Sequence, residues 1–214
     1  MPAFVFRMIL DWIGTGQINL DEEVYPRSQL KLDAVVTFLG HAINLGVQVH
    51  QPPNVILGHI KEYLIENREA LRASHIRLAF GYHKPGREPH ILKVMDADEH
   101  VAFREAAWKP IQEMFVKSAT RLLIEYREDP LDVFHTGPVY TSDDEGINEA
   151  KRNAFKRGFR YDREMEVIPE FRLQLLILLE KTNRMRTDKV TKSGKTLPGC
   201  YFLDPLTMER FDRD

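Results

Sequence analysis

The strongest constraint on the fold is the helical spacing of apolar residues between Ser28 and Leu45. Residues three and four apart share one face of an α-helix, so a helix here would carry an apolar stripe. The stripe consists of Leu30, Ala34, Val35, Phe38, Leu39, Ala42 and Ile43. Ser28 is a good N-cap, and Gly46 suits the left-handed residue that follows a helix. We predict that this helix buries its stripe in a core.

Four further segments predict a mostly helical chain. Pro52, Pro53 and Asn54 open a helix that we expect to continue to about Ala73. A third helix follows Asp96 or Asp98 and is expected to break or restart at Pro110. Ser142 and Glu145 form a capping box for a helix that ends at Gly158. Residues 171–186 alternate as a strand would, but their Leu, Arg, Gln and Glu content favours a helix.

The predicted β structure is small. Apolar residues alternate along 4–12, which is typical of a strand. Alternation over 76–82, a turn at 84–87 and a second extended run at 90–95 predict a β-hairpin around 75–95. Residues 187–214 are expected to form a loop-rich C-terminal tail that docks through Tyr201–Leu203. The fold class predicted is α+β, predominantly helical, with a small antiparallel β element.

Composition indicates one globular domain that spans 1–214. The chain has 214 residues, of which 43% are hydrophobic and 29% charged, enough apolar side chains for a core without disulfides or metals. The only cysteine, Cys200, excludes an internal disulfide and indicates a reducing compartment. The segment 1–12 lacks the features of a signal peptide, and no apolar run is long enough to span a bilayer. We therefore expect a cytoplasmic or nuclear protein.

Asp96 and Asp98 are the candidate metal ligands. They follow a predicted strand, where two carboxylates on alternate positions could hold Mg²⁺ or Mn²⁺ together with a substrate phosphate. His100 and Glu105 could add ligands. The alternative interpretation is that both aspartates cap the next helix and complement its dipole, which is the commoner use of such residues.

Two other catalytic interpretations are weaker. Residues 192–196 end like a phosphate-binding loop, but the pattern requires glycine where Lys189 stands, and no helix is expected to follow. Cys200 and His135 would form a nucleophilic pair only if the fold brought them together. A free cysteine is more often a buried small apolar residue, and this is the interpretation that we favour.

The charge pattern is the most informative functional feature. Residues 121–149 contain eight Asp and Glu against two Arg, whereas residues 151–195 contain thirteen Lys and Arg against six Asp and Glu. These opposite blocks can neutralise each other within one molecule, pair between subunits, or leave the basic block for a polyanion. The aromatic Phe159 and Tyr161 lie among its cations, a combination typical of single-stranded nucleic-acid binding. The cations are Lys151, Arg152, Lys156, Arg157 and Arg160.

The leading hypothesis is a non-enzymatic assembly or interaction protein. It would self-associate as a homo-oligomer and bind single-stranded nucleic acid or a nucleoprotein through its basic C-terminal region, without a cofactor. One alternative is a transferase or nuclease that uses Mg²⁺ or Mn²⁺ at Asp96 and Asp98. A second alternative is a viral or phage matrix-like structural protein that also contacts a membrane surface, the less favoured partner.

Overall fold

The structure, a computed structural model, describes residues 1–18, 20, 28–47, 55–81, 97–126, 159–190, 194 and 196–212. These residues form an α+β fold that is mostly helical, with a small antiparallel sheet, as predicted. The backbone clusters into two compact units, 1–118 and 119–214. The single domain expected from the sequence stays a prediction. No helix in the described part of the chain is long and apolar enough to cross a membrane.

The first unit contains four helices and most of a fifth. Their bounds are α1 Ala3–Thr15, α2 Ser28–Asn44, α3 Val55–Glu66, α4 Ala73–Ala79 and α5 Ala97–Tyr126. The second unit contains the end of α5, two helices and a sheet. These elements are α6 Asp162–Val167, α7 Pro169–Arg184, β1 Thr187–Val190, β2 Thr196–Leu203 and β3 Arg210–Asp212.

Residues 4–12 form helix α1 and not the predicted strand. The buried side chains recur at helical spacing, as Val5, Met8, Ile9 and Trp12. Because almost every residue here is apolar, a period of two and a period of 3.6 both fit the sequence, and only burial distinguishes them. The helix ends at Gly16, whose φ of 67° is left-handed and whose N–H donates to the Trp12 carbonyl over 2.8 Å.

Helix α2 lies at the centre of the first unit, as the apolar stripe predicted. Six of the seven stripe residues are buried, and only Leu30, at 40%, is exposed. Gly46 has the expected left-handed conformation with a φ of 70°. The helix packs against α1, α3 and α4. Gly40 allows a close approach, because a Cβ at this position would lie 3.0 Å from a Leu78 methyl carbon.

The helix predicted for 52–73 is shorter in the structure. Helix α3 ends at Glu66, and the Asn67 side chain then accepts a hydrogen bond from the N–H of Glu69 over 2.9 Å. Such a local side-chain bond competes with the helical ladder and favours a turn.

The hairpin predicted around 75–95 is wrong in its first half. Residues 73–79 form α4, in which His75, Ile76 and Ala79 are buried. The N–H of Arg72 donates to His75 Nδ1 over 3.2 Å, which supports the first turn of a helix that lies against α2. The second half of the hairpin, residues 90–95, lies outside the described residues.

Helix α5 continues through Pro110, so the predicted break is also wrong. Proline removes one backbone hydrogen bond and crowds the preceding turn, at a cost of roughly 3 kcal/mol. Buried apolar side chains before and after Pro110 offset that cost; they include Ala107, Trp108, Ile111 and Phe115. Gln112 adds a hydrogen bond of 2.8 Å from its side-chain amide to the Ala79 carbonyl.

In the second unit, α7 is the helix that the composition of 171–186 favoured. The predicted loop-rich tail is wrong, because its residues 187–190, 196–203 and 210–212 form an antiparallel sheet in the order β1–β2–β3. Gly194, with a φ of 78°, lies between β1 and β2 and supplies a left-handed turn residue. Phe202 is buried, and its ring lies 5.8 Å from that of Phe211 and 4.6 Å from the Arg186 guanidinium carbon.

Candidate interaction surface

The predicted metal site lies largely outside the described residues. Asp96 is not described, and for Asp98, His100 and Glu105 the structure gives only the backbone, in the first turns of α5. Among the side chains that are described, no group of three or more His, Cys, Asp or Glu could hold a metal ion. The Mg²⁺ or Mn²⁺ site at Asp96 and Asp98 therefore stays a prediction.

The aromatic part of the predicted nucleic-acid site is not on the surface. Phe159 is 7% exposed and Tyr161 is fully buried. Their rings meet edge to face at 5.3 Å, and Tyr161 meets Phe171 in the same way at 6.4 Å. A ring covered by its own chain cannot stack on a base, so the predicted stacking by these two residues is wrong. Arg160 is exposed, whereas Lys151, Arg152, Lys156 and Arg157 lie outside the described residues.

The residues that the structure describes give no support to the two weaker catalytic interpretations, the phosphate-binding loop and the Cys200–His135 pair. Gly194 is followed by strand β2 at Thr196, so no helix directs its N-terminus at a phosphate there. Cys200 lies in the same strand, and its proposed partner His135 is outside the described residues.

Helix α1 exposes three large apolar side chains on the side opposite its buried face. Phe6 and Leu10 are each 52% exposed and Ile13 is 64% exposed. They stand four and three residues apart, so they form one stripe along the helix. A helix with apolar residues on two opposite sides is usually covered by other protein surfaces on both sides. This surface is thus a candidate for contact with another molecule.

One edge of the same surface is charged. Arg7 and Asp11 are both exposed and stand four residues apart, on the side of Leu10 away from Phe6 and Ile13. Neither side chain forms an ion pair within the described part of the chain. We name the five exposed residues, Phe6, Arg7, Leu10, Asp11 and Ile13, the α1 face.

The sequence indicates the charge blocks and not the α1 face, because the alternation along residues 4–12 favours a strand. A helical projection separates buried Val5, Met8, Ile9 and Trp12 from an outer side that is also apolar.

No family model, no curated protein and no solved structure matches this chain.

A smaller apolar surface lies on α7 in the second unit. Leu173 is 60% exposed and Ile177 is 57% exposed. Nearby charges are already engaged within the helix, since Glu180 forms an ion pair with Arg184, and Glu170 accepts a hydrogen bond from Gln174. The ion pair and the hydrogen bond engage both carboxylates of α7 within the helix, so no carboxylate beside this surface matches Asp11 of the α1 face.

Asp33 and Arg72, both partly exposed, form a polar cluster with the buried His75 that is reminiscent of a catalytic pair. Asp33 Oδ1 lies 2.6 Å from His75 Nε2, and Asp33 Oδ2 lies 2.6 Å from Arg72 Nη1. His75 Nδ1 accepts from the Arg72 N–H, which leaves Nε2 as the ring nitrogen that faces Asp33. Both ring nitrogens are engaged within the chain and none faces a substrate. The cluster ties α2 to α4.

Arg121 and Asp204 form a buried pair in the second unit. Arg121 Nη1 lies 2.7 Å from Asp204 Oδ2, an ion pair by distance whose angle falls outside that of a hydrogen bond. Arg121 Nε also donates to Glu125 over 3.3 Å, and Asp204 accepts the N–H of Leu206 over 2.7 Å. Removing either partner would leave a buried charge uncompensated, so the pair constrains the fold of this unit.

Two titrating side chains of the first unit have shifted pKa values. Burial, and then the nearby positive N-terminus, lowers the pKa of His41 on α2. Burial, and then the carboxylates of Glu62 and Glu66, raises the pKa of Tyr63 on α3 to about 12. The exposed side of α3 is a shallow, open depression, and the His59 ring stacks on Tyr63 at 6.0 Å.

Proposed function

We propose that this chain is a non-enzymatic assembly protein that self-associates. The observation that carries the proposal is the apolar surface on α1, where Phe6, Leu10 and Ile13 are each more than half exposed. Contiguous exposed apolar surface on a folded chain commonly marks a contact with another protein. The opposite charge blocks of 121–149 and 151–195 support association as well, because such blocks can pair between subunits.

Size-exclusion chromatography with light scattering tests the proposal over a concentration series at low and high salt. We expect a mass above the 25.0 kDa of one chain, increasing with concentration. Contacts between apolar faces persist in high salt, whereas contacts between charge blocks weaken as salt screens them. A mass of 25.0 kDa at every concentration and salt would remove self-association from the proposed function.

A second candidate function is nucleic-acid binding by the basic block. Three of its described arginines, Arg160, Arg163 and Arg172, are exposed, which supports contact with a phosphate backbone. Because Phe159 and Tyr161 are buried, such binding would be electrostatic and independent of sequence. We therefore propose phosphate contacts and not base stacking for this region.

Fluorescence anisotropy with a labelled single-stranded RNA tests this second function across a salt series. The association constant should fall steeply as salt rises, since each neutralised phosphate releases counterions. Arg160→Glu with Arg163→Glu should weaken binding more than Lys61→Glu, which reverses an exposed cation on α3. Equal effects of the two changes, or no binding at low salt, would contradict a role for the basic block.

A further inference from the structure

We infer that α1 pairs with α1 of a second copy of this chain, in antiparallel orientation about a two-fold axis near residues 9 and 10. This inference rests on the proposed self-association and specifies its surface and geometry. It follows from how apolar, small and charged residues are distributed across the exposed side of α1.

The exposed side of α1 consists of three rows. At about 100° per residue, Ala3, Leu10 and Gly14 fall near the middle of the exposed side, opposite the buried face. Phe6 and Ile13 form the apolar row on one flank. Arg7 and Asp11 form the charged row on the other flank, and Phe4, 41% exposed, lies beyond Asp11 toward the buried face. The surface therefore has an apolar edge and a charged edge on either side of a central row.

Symmetry decides which edges can meet. In an antiparallel pair related by a two-fold axis, each flank of one helix meets the same flank of its partner. In a parallel pair, each flank meets the opposite flank. Only the antiparallel pair brings the apolar edges together and the charged edges together. A parallel pair would place Arg7 and Asp11 against Phe6 and Ile13 and bury charge against apolar side chains.

The register of the three rows agrees with one axis. Phe6 and Ile13 have their midpoint between residues 9 and 10, and Arg7 and Asp11 have theirs at residue 9. An axis there places Phe6 against Ile13 of the partner subunit and Arg7 against Asp11 of the partner subunit. Leu10 then lies beside the axis. Ala3 and Gly14, small residues at the two ends of the central row, allow the helices to approach closely.

The charges of the α1 face match a second copy better than a lipid surface. Helices that bind anionic membranes carry several Lys or Arg beside their apolar face. The α1 face has one cation, Arg7, and one carboxylate, Asp11, which two copies of the face can neutralise mutually. Self-complementary charge of this kind is what a two-fold contact requires.

Charge reversal tests the pairing directly. Arg7→Asp and Asp11→Arg should each weaken self-association about tenfold, because two attractive contacts per dimer become repulsive. An equimolar mixture of the two variants should form heterodimers, since both contacts then join opposite charges. The double variant should associate like the natural chain. Light scattering measures the masses, and native mass spectrometry distinguishes heterodimer from homodimer.

A matched control for these variants is the pair Lys61→Glu and Glu62→Lys on α3, which reverses exposed charges away from α1. Unchanged far-ultraviolet circular dichroism shows that each variant is folded. A natural chain that is monomeric throughout overturns the proposed self-association and the pairing with it. An oligomer that α1 charge reversal does not affect overturns the pairing alone. Flotation of the natural chain with phosphatidylserine–phosphatidylcholine vesicles, lost in Leu10→Asp, would assign the face to lipid and overturn the pairing.

Disulfide cross-linking tests the orientation, with Cys200→Ser as the background. Leu10→Cys should link to itself because it lies beside the axis. A mixture of Phe6→Cys and Ile13→Cys should give a mixed disulfide, since a disulfide needs Cα atoms within roughly 7 Å. A mixed disulfide between Phe6→Cys and Arg7→Cys, without the mixed product of Phe6→Cys and Ile13→Cys, would show a parallel pair and overturn the inference.

Discussion

At the residue scale, one carboxylate holds two helices of the first unit together. Asp33 on α2 contacts both the Arg72 guanidinium, just before α4, and the His75 imidazole on α4. The side chain of His75 is 6% exposed, so losing its partner would leave a buried N–H unsatisfied. Arg72 is partly exposed, so water can hydrogen-bond to its guanidinium in place of the Asp33 carboxylate.

We expect Asp33→Ala to lower the free energy of unfolding by about 1–3 kcal/mol, because the His75 N–H loses its acceptor and Arg72 its counter-ion. Urea denaturation monitored by circular dichroism measures the change. Glu113→Gln, which neutralises an exposed carboxylate on α5, is the control and should stay within about 0.5 kcal/mol of the natural chain. Equal effects would show that the cluster contributes little.

The ionisation of Tyr63 gives a prediction at high pH. Burial and two nearby carboxylates raise its pKa to about 12, so the native state favours the neutral phenol. The resulting stabilisation is present below the ordinary pKa near 10 and disappears as pH rises through about 12. Tyr63→Phe should therefore remove one late component from the ultraviolet titration of phenolate. A component lost near pH 10 instead would contradict the shift.

Side-chain partners were the least predictable feature of this sequence. The pair Asp33 and His75 is separated by 42 positions, and no local pattern marks it. Phe159 and Tyr161 stand beside cations in the sequence, yet both rings point into the second unit. Local sequence reports neighbours along the chain, whereas burial depends on which distant element covers a side chain.

At the element scale, Gly58 lowers the stability of helix α3. It lies inside the helix, it is exposed, and a Cβ added there would meet nothing within 4 Å. Gly58→Ala should raise the free energy of unfolding by roughly 0.5–1 kcal/mol, since alanine loses less backbone entropy in a helix.

Urea denaturation of Gly58→Ala measures this gain. Gly81→Ala is the informative comparison, because Gly81 has a φ of 65° and equally open surroundings. The same chemical change should destabilise the chain there, since alanine is strained in the left-handed region. A gain at both positions would mean that helix propensity is not the cause.

Elements with one clear period were predicted correctly, and elements with mixed signals were not. Helix α2 combines a clean apolar stripe with glycine after its end, and both features are seen in the structure. Helix α1 is apolar on both sides, so its period was ambiguous. Residues 76–80 alternate as a strand would, but packing against α2 favours the helix α4. The C-terminal sheet was not predicted, because the many turn-forming residues around Gly194 indicate part of a long loop and not the turn of a hairpin.

At the scale of the whole molecule, self-association predicts a melting temperature that depends on protein concentration. A contact made only by folded chains stabilises them by mass action. We expect Tm to rise by a few degrees over a hundredfold increase in concentration for a chain of this size. Differential scanning fluorimetry measures this rise.

Leu10→Asp should remove the concentration dependence of Tm if the α1 face mediates the contact. Leu173→Asp is the matched control, because it places the same charge at an exposed leucine of α7. Loss of the dependence in Leu173→Asp alone would transfer the self-association surface to α7. A Tm that is independent of concentration in the natural chain would contradict association under these conditions.

The buried pair of Arg121 and Asp204 has a consequence for how this protein can be shortened. Asp204 is 2% exposed and supplies the counter-charge for an arginine that is 8% exposed. A polypeptide that stopped at Leu203 would keep β1 and β2 but would leave the buried Arg121 with Glu125 and without its more deeply buried counter-ion. Removing residues 204–214 should therefore destabilise the second unit, so a shortened chain should retain Asp204.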